Sequence, residues 1–586
     1  MNKFVSLLLI FTLLISIFTA CKNKENRMEV MQKNTSISSI SNAQREEIFN
    51  YVSALKCEDG GYREVHSDIG EILYDTYYAM LLLKQLNNQS IFEEYAQLLV
   101  KEYLSRDFSE IVDLTYEDIV MYFYYYTELC NICKYEIDSH VKEKIWEMTE
   151  QARTVYGGYY YNADSQIKEN EQNILLYSTE KAVRVLQNIN APVDREYCKA
   201  FIDNYIVQVV PDLELYNKIS AYDSILFILD VCGFANDTVQ QDAEALLSTY
   251  WCEVVEQIKG KQIDLFSISQ IPHLCRRLNY AKLNELYTVL EEYYQSLAAS
   301  NGFYCAFSQD GINILATQII VQELTAMQKD ASISKNEIIE KIIHNKIYRS
   351  GFLAPERETE SLLDETYAAY RILKMLGKID SEALEYLSNI DISALEQNDL
   401  FYYYEFMHSA GLKIEWTQRE EETKNMLLQS LEENPLQTDM EYYQMLNALQ
   451  TLYSMQISIP ESIKGNLEKK MDTANSMYQT TVVLLLYYYA DIDQPEEVKE
   501  EFKQATFLLQ NEIQNNKENI FNDCILLYYY YSAIDLWDEI LAKESILQIS
   551  KLDVQPILSD YLCQGGGGGL ALTNLYSLLY TYNKGV

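Results

Sequence analysis

A phrase that joins a glycine turn to an apolar helix recurs along this chain, and it constrains the fold more than any other feature. Three stretches carry it: 60–86, GGYREVHSDIGEILYDTYYAMLLLKQL; 301–327, NGFYCAFSQDGINILATQIIVQELTAM; and 350–376, SGFLAPERETESLLDETYAAYRILKML. In each, a glycine followed by an aromatic residue precedes a threonine by 15 positions: Gly61 to Thr76, Gly302 to Thr317 and Gly351 to Thr366. In the first stretch a second glycine, Gly60, directly precedes Gly61. Apolar residues then recur three and four positions apart, which is typical of an amphipathic helix, and glycine permits the tight turn before it.

Two more stretches carry the phrase in altered form. Gly157 and Gly158 precede Thr179 by a longer spacer, and the glycine run 565–569 precedes an apolar segment from Thr573. Helical units that repeat in this way predict stacked helical hairpins. The glycines and threonines of the phrase are therefore predicted to have structural roles.

The phrase opens and closes each half of the chain, so the sequence predicts two similar halves. The polar stretch QKDASISKNE, 328–337, lies between them. We place the predicted domains at 45–330 and 331–586.

The glycine turn with the helices TYYAMLLLKQL (76–86) and TYAAYRILKML (366–376) resembles the repeat of the prenyltransferase and squalene cyclase superfamily. The resemblance implies an all-α fold of the α/α toroid type, in which two rings of helices are concentric. Triterpene cyclases of that superfamily carry two such domains. We therefore expect two toroid domains in tandem.

The active-site motifs that the resemblance would imply are absent. The cyclase acid motif Asp-x-Asp-Asp fails in ADIDQPEE, where Gln494 follows Asp491 and Asp493. The Asp-Asp-x-x-Asp motif for magnesium diphosphate, the zinc-binding trio of the protein prenyltransferases and the thioester sequence CGEQ are missing too. The sequence leans against an enzyme and predicts no cofactor.

A different chemistry would need other residues. Helical toroids also include glycosidases and polysaccharide lyases, some of which use paired carboxylates. The best-placed acids are Asp75 and Glu365, which directly precede Thr76 and Thr366. Their equivalence by repeat favours a capping role over catalysis, and both alternatives stay open.

Metal ions and nucleic acids are not predicted partners. Five histidines are scattered without ligand spacing, and Cys130 with Cys133 has no second pair nearby. The formal net charge is −40 at pH 7, and such a surface repels phosphate backbones.

The N-terminus, MNKFVSLLLIFTLLISIFTAC, indicates export. Lys3 and a short apolar run are typical of a signal peptide over 1–20. The ending resembles the lipobox of bacterial lipoproteins, in which the cysteine, here Cys21, becomes the lipidated first residue. We expect acyl chains such as palmitate on Cys21, a flexible tether over 21–44, and a location on the extracytoplasmic face of the membrane, with the lipid bilayer as a partner.

These features predict a membrane-anchored lipoprotein that serves as a non-catalytic binding or scaffold protein. The chain has 50 tyrosines, many in runs such as 122–127 and 401–406. Tyrosine either fills the half-polar core of the helices or lines a groove for a peptide, protein or oligosaccharide ligand. Two alternatives remain open: a polysaccharide-active glycosidase or lyase, and a cyclase-like protein that binds a terpenoid.

Overall fold

The computed structural model describes most of the predicted helical chain. The described residues are 41–63, 69–86, 89–112, 119–154, 157–160, 172–299, 303–306, 311–329, 335–347, 349–357, 360–414, 416–471, 476–493 and 572–585, with single positions at 114, 495, 497, 498, 500, 501, 504, 529 and 532. Within these ranges there are 21 α-helices and no β-strand. None of these helices has the length and apolar character needed to cross a membrane.

The helices are short and follow one another closely. In chain order they are α1 Asn42–Ser53, α2 Ile69–Gln85, α3 Gln89–Leu99, α4 Ile119–Cys133, α5 Ser139–Gln151, α6 Gln172–Asn188, α7 Arg195–Gln208, α8 Leu215–Cys232, α9 Asp237–Lys259, α10 Leu265–Arg277, α11 Leu283–Gln295, α12 Ile314–Ala326, α13 Lys335–His344, α14 Leu363–Met375, α15 Ser381–Asn389, α16 Gln397–Ala410, α17 Gln418–Glu433, α18 Asp439–Ser454, α19 Glu461–Met471, α20 Met477–Tyr489 and α21 Leu572–Gly585. They fall into two compact units.

Unit 2, which holds the described residues from 69 to 357, is a closed ring of hairpins. Its even-numbered helices from α2 to α12 contact one another in order, and α12 contacts α2. The odd-numbered helices α3, α5, α7, α9 and α11 each pack against a helix of this ring. Two concentric layers of helices follow from this pattern.

Unit 1 holds the described residues 41–63 and those from 360 onward, and its described helices follow the same pattern of hairpins. Ring helix α14 contacts α16, α16 contacts α18, α18 contacts α20, and α21 contacts α14. Helices α15 and α17 each pack against a helix of this ring, as the odd-numbered helices of unit 2 do. The all-α toroid fold expected from the sequence is confirmed.

The bounds of the units differ from the predicted ranges 45–330 and 331–586. Residues 41–63 belong to unit 1 although unit 2 follows them in sequence, and residues 349–357 belong to unit 2. Unit 2 is thus inserted in the sequence of unit 1, where a tandem order was expected. The reason lies in the hydrogen bonds of the turns, described below. Independent folding of the two units stays a prediction.

Polar caps determine where many helices begin and end. Ser41, Thr417 and Thr438 form capping boxes at the starts of α1, α17 and α18. Their side chains accept backbone N–H groups that have no partner inside the helix. Gly233 and Gly411 end α8 and α16 in the left-handed conformation, with φ of 72° and 70°.

The ring helices differ from the outer helices in composition. Helix α4, IVMYFYYYTELCNIC, buries residues all around its axis, as expected of a helix covered on every side. Helix α5 buries only Ile145 and Thr149. The tyrosine runs 122–127 and 401–406 lie in the ring helices α4 and α16, where Tyr126 and Tyr404 are buried. Much of the tyrosine is therefore core.

Candidate ligand-binding site

The repeated turn has one geometry in its four described copies. In the first copy Cys57 N donates a hydrogen bond to Gly61 O at 2.8 Å. The same bond recurs in the other copies: Thr154 N to Gly158 O, Ala299 N to Phe303 O, and Ile347 N to Gly351 O. Phe303 thus has the position of Gly61, whereas the 15-residue spacing had matched Gly302 to Gly61. Gly302 itself lies outside the described residues.

Glycine is required in these turns for two reasons. Gly60 and Gly157 have φ of 87° and 83°, which disfavours any residue with a Cβ atom. At Gly351 the limit is space, because a Cβ atom there would lie 1.8 Å from Thr76 Oγ1. Gly158 combines both, with φ of 76° and a Cβ position 2.6 Å from Thr179 Oγ1.

The repeat threonines join a ring helix to a turn. Thr179 Oγ1 accepts a hydrogen bond from Tyr159 N at 2.8 Å, and Thr317 Oγ1 accepts one from Tyr304 N at 3.0 Å. Each hydroxyl also donates to the carbonyl four residues earlier. Both threonines are fully buried, so the hydroxyl satisfies a turn N–H that water does not reach.

Two turns exchange their threonines. Thr76 Oγ1 accepts from Phe352 N at 2.8 Å within unit 2, and Thr366 Oγ1 accepts from Tyr62 N at 2.9 Å within unit 1. The aromatic residue of each turn therefore bonds the threonine that follows the other turn in sequence. This exchange places 41–63 in unit 1 and 349–357 in unit 2.

The two candidate acids both bind backbone donors. Asp75 is fully buried and its Oδ2 accepts from Ala354 N at 2.9 Å. Glu365 accepts from Leu572 N at the start of α21, and Thr573 Oγ1 donates to its second oxygen at 3.4 Å. Carboxylates at helix and turn ends make bonds of this kind. These contacts favour the capping alternative for both residues.

In the ring of unit 2, two buried glutamates are paired with cations. Arg276 bonds Glu323 in bidentate fashion, with both N–O distances at 2.6 Å. Arg184 Nε lies 2.8 Å from Glu180 Oε1. Burial alone would raise the pKa of Glu180, but Lys181, Arg184 and hydrogen bonding outweigh it and lower the pKa to about 2. Each buried carboxylate is therefore neutralised by a cationic side chain beside it.

The interior of unit 1 contains a layer of tyrosines, one from each of five ring helices and one from the segment between α20 and α21. This tyrosine layer consists of Tyr367, Tyr402, Tyr443, Tyr478, Tyr529 and Tyr576. The Tyr367 ring centroid lies 6.0 Å from that of Tyr402 and 6.4 Å from that of Tyr576. Tyr478 and Tyr529 are 5.8 Å apart. Successive ring helices thus contribute successive rings.

Members of the tyrosine layer interact with one another from helix to helix. The Tyr402 side chain interacts with that of Tyr443, and the Tyr529 side chain interacts with that of Tyr478. Burial raises the pKa of Tyr367 and Tyr402, so their hydroxyls keep their protons at neutral pH and can donate hydrogen bonds.

A polar network adjoins the tyrosine layer on the C-terminal side of the ring helices. Arg371 Nη1 lies 2.6 Å from Tyr367 OH and 3.1 Å from Ser409 Oγ. Glu405 accepts a hydrogen bond from Ser454 and lies 3.5 Å from Tyr367 OH. Arg371 also covers the ring of a second layer tyrosine, Tyr576. Planar charged groups, hydroxyls and aromatic faces therefore converge at one place.

Acidic side chains lie on the opposite, N-terminal side of these helices. Burial raises the pKa of Asp364, and the nearby charge of Asp399 adds to the effect. Asp59 accepts a hydrogen bond from Ser361 Oγ at 2.5 Å. The tyrosine layer thus separates an acidic end from a mixed polar end.

Metal binding has no candidate among the described residues, which contain no group of three or more His, Cys, Asp or Glu side chains placed around a common point. Cys130 and Cys133 are buried in α4, where burial raises the pKa of Cys130 above its usual range. Cys21, the signal peptide and the tether lie outside the described residues, and the acyl anchor stays a prediction.

Sequence reasoning did not identify Arg371 and Glu405 as site residues. No motif marks them, because they come from two different hairpins. A signal was available in the tyrosines, since one tyrosine recurs near the start of successive ring helices, as at Tyr402 and Tyr443. Aligning the ring helices by their first residues would have shown that these tyrosines occupy similar positions.

Comparison with known proteins supports the fold. Residues 26–106 and 274–399 match the family described as prenyltransferase alpha-alpha toroid domain, and together they span less than half of the chain. No curated protein and no solved structure matches the chain. The matched segments contain the turns at Gly61 and Gly351 and both threonines that exchange partners. The chain therefore resembles the prenyltransferase and squalene cyclase superfamily and has its all-α toroid fold.

Proposed function

We propose that this protein is a membrane-anchored extracytoplasmic lipoprotein that binds a ligand at the tyrosine layer of unit 1 and does not convert it. The observation that carries the proposal is the tyrosine layer itself, together with the half-exposed Arg371 and Glu405 beside it. Ligand sites combine a mostly aromatic lining with a few placed polar groups. This part of unit 1 has that composition.

The binding role is preferred to catalysis because of what the candidate acids contact. Asp75 and Glu365 would serve a glycosidase or lyase, yet both accept backbone hydrogen bonds. A general acid or base needs an oxygen that can reach the substrate. The superfamily's own acid and metal motifs are also missing from the sequence.

Ligand-dependent unfolding tests the binding role. Residues 42–586, without the anchor, are heated in the presence of neutral oligosaccharides, prenyl diphosphates or cationic peptides. A ligand at 100 times its Kd stabilises the folded chain by about 2.7 kcal/mol, so we expect one class to raise the unfolding midpoint and to be recovered unchanged. Tyr402→Phe should reduce the shift, whereas Tyr250→Phe, at an exposed position of α9, should not. Recovery of a cleaved oligosaccharide would overturn the non-catalytic role.

Membrane anchoring is tested separately. In cells fed a labelled fatty acid, the full chain should carry label and sediment with membranes. Cys21→Ala should lose both properties, and Cys57→Ala should keep them. Membrane association of an unlabelled Cys21→Ala protein would argue against the acyl anchor.

A further inference from the structure

The polar network of unit 1 can be assigned a ligand class. We propose that it binds a neutral saccharide, whose hydroxyl pairs are held by Arg371, Glu405 and Asn447 and whose apolar face lies on the tyrosine layer. This assignment rests on the proposed binding function and specifies its ligand.

Asn447 is the residue that points to a missing partner. It is 3% exposed, and its Nδ2 donates no hydrogen bond to the protein. A buried amide without an acceptor destabilises a fold. Such a group is explained if a ligand supplies the acceptor.

The position of Asn447 on α18 places it at the network. It shares one helix face with Tyr443, Gln450 and Ser454, which are spaced by four and three residues. The Tyr443 side chain interacts with Tyr402 of α16, and Ser454 Oγ donates a hydrogen bond to Glu405 of the same helix. The Gln450 side chain interacts with Tyr489 of α20 on the other side, so we place this face on the inner side of the ring.

The chemistry of these groups matches vicinal hydroxyls. A carboxylate accepts two hydrogen bonds, a guanidinium donates two in parallel, and an amide does one of each. Adjacent hydroxyls of a sugar present donors and acceptors at matching separation. Tyrosine faces suit the C–H surface of the sugar ring, because they are apolar and rigid.

The charges favour a neutral ligand over a diphosphate. Arg371 and Lys374 both donate to Ser409, and Glu405 lies in the same network, 3.5 Å from Tyr367 OH. A diphosphate would meet the Glu405 carboxylate, and like charges repel. A cationic peptide would meet Arg371 and Lys374.

The test uses residues 42–586 and compares Asn447→Leu with Asn284→Leu. Asn284 is exposed on α11 of unit 2 and serves as the matched control. The probes are cellotetraose, maltotetraose, xylotetraose and chitotetraose, with geranylgeranyl diphosphate and a lysine-rich decapeptide as other classes. Thermal unfolding and titration calorimetry measure binding.

We expect one tetrasaccharide to bind the wild-type chain. Asn447→Leu should weaken that binding about tenfold or more, which is the size of effect expected when a buried hydrogen bond to a ligand is lost. Without ligand, the same variant should unfold at a higher temperature than the wild type, because the unpartnered amide is gone. A merely structural asparagine would show the opposite change in stability. Glu405→Gln provides a second variant and should also weaken saccharide binding.

The outcomes separate this inference from the proposed function. Equal saccharide binding by wild type and Asn447→Leu overturns the assigned site. Binding of only the diphosphate or only the peptide overturns the saccharide class, while the binding function stands. If none of the probes binds, neither proposal stands for these ligand classes.

Discussion

At the scale of single residues, two glycines of unit 2 differ in what surrounds them. A Cβ atom at Gly351 would lie 1.8 Å from Thr76 Oγ1, whereas one at Gly311 would meet nothing within 4 Å. Gly351→Ala must displace a buried hydroxyl that bonds Phe352 N, so we expect a loss of about 1–3 kcal/mol in the free energy of unfolding. Gly311→Ala should change it by less than about 0.5 kcal/mol. Urea unfolding followed by circular dichroism measures both, and equal midpoints would contradict the packing argument.

The buried side chain of Lys346 should make the stability of the protein depend on pH. It occupies the turn position of Lys56 and Arg153, and only 11% of its side chain is exposed. Burial lowers the pKa of Lys346 to about 8, although Glu102, 3.9 Å away, opposes the shift. The unfolded chain keeps the proton up to a pKa of 10.5. Between these values the unfolded state binds more protons, so stability rises with pH.

Lys346→Met isolates this effect. Relative to the variant, the wild type should gain up to about 3 kcal/mol between pH 7 and its full deprotonation. Denaturant unfolding at pH 7.5 and 9.5 captures part of the gain and avoids the range in which tyrosines of the unfolded chain ionise. Exposed Lys259→Met is the control and should follow the wild type. A constant difference between wild type and Lys346→Met at both pH values would contradict the shifted pKa.

At the scale of elements, Asp380 joins the turn after α1 to the start of α15. Its carboxylate accepts hydrogen bonds from Lys56 Nζ at 2.8 Å, from Tyr62 OH at 2.5 Å and from Glu382 N at 3.0 Å. Asp380→Asn removes the charge that holds Lys56 and should cost about 1–3 kcal/mol. Hydrogen exchange should speed up in the turn 54–63 and in α15 together.

Asp391 provides the comparison for Asp380. It also caps a short helical segment, but its carboxylate bonds Ser393 at the surface. Asp391→Asn should leave exchange in α15 and in the turn unchanged. Faster exchange in α15 alone after Asp380→Asn would mean that the carboxylate acts only as a cap.

At the scale of the whole molecule, some features could be read from the sequence and others could not. Helical periodicity and the recurring glycine turn predicted stacked helical hairpins, because those signals are local, and the resemblance to the superfamily implied the toroid. The partners of Thr76 and Thr366 were not predictable, since Gly61 and Gly351 precede them with the same spacing and either pairing satisfies the same hydrogen bonds. Asn447 carries no sequence signal, because its importance lies in a bond that it does not make.

The exchanged turns lead to a prediction about which fragment folds. The ring of unit 2 closes between α12 and α2, and its Thr76 and Asp75 accept hydrogen bonds from Phe352 and Ala354. A fragment 66–358 keeps these donors. The fragment 45–330, cut where the sequence alone had suggested, loses them and keeps α1 without its unit 1 partners.

We therefore expect 66–358 to unfold cooperatively and 45–330 to be less stable by several kcal/mol, since two buried acceptors lose their donors and a packed turn is removed. Both fragments are to be compared by urea unfolding at equal concentration. The substitution Phe352→Pro within 66–358 removes one N–H donor. It should lower the stability of that fragment part of the way to the value for 45–330. If 45–330 proved as stable as 66–358, the turn at 349–357 would not be part of the folding unit, and the boundary would lie near residue 330.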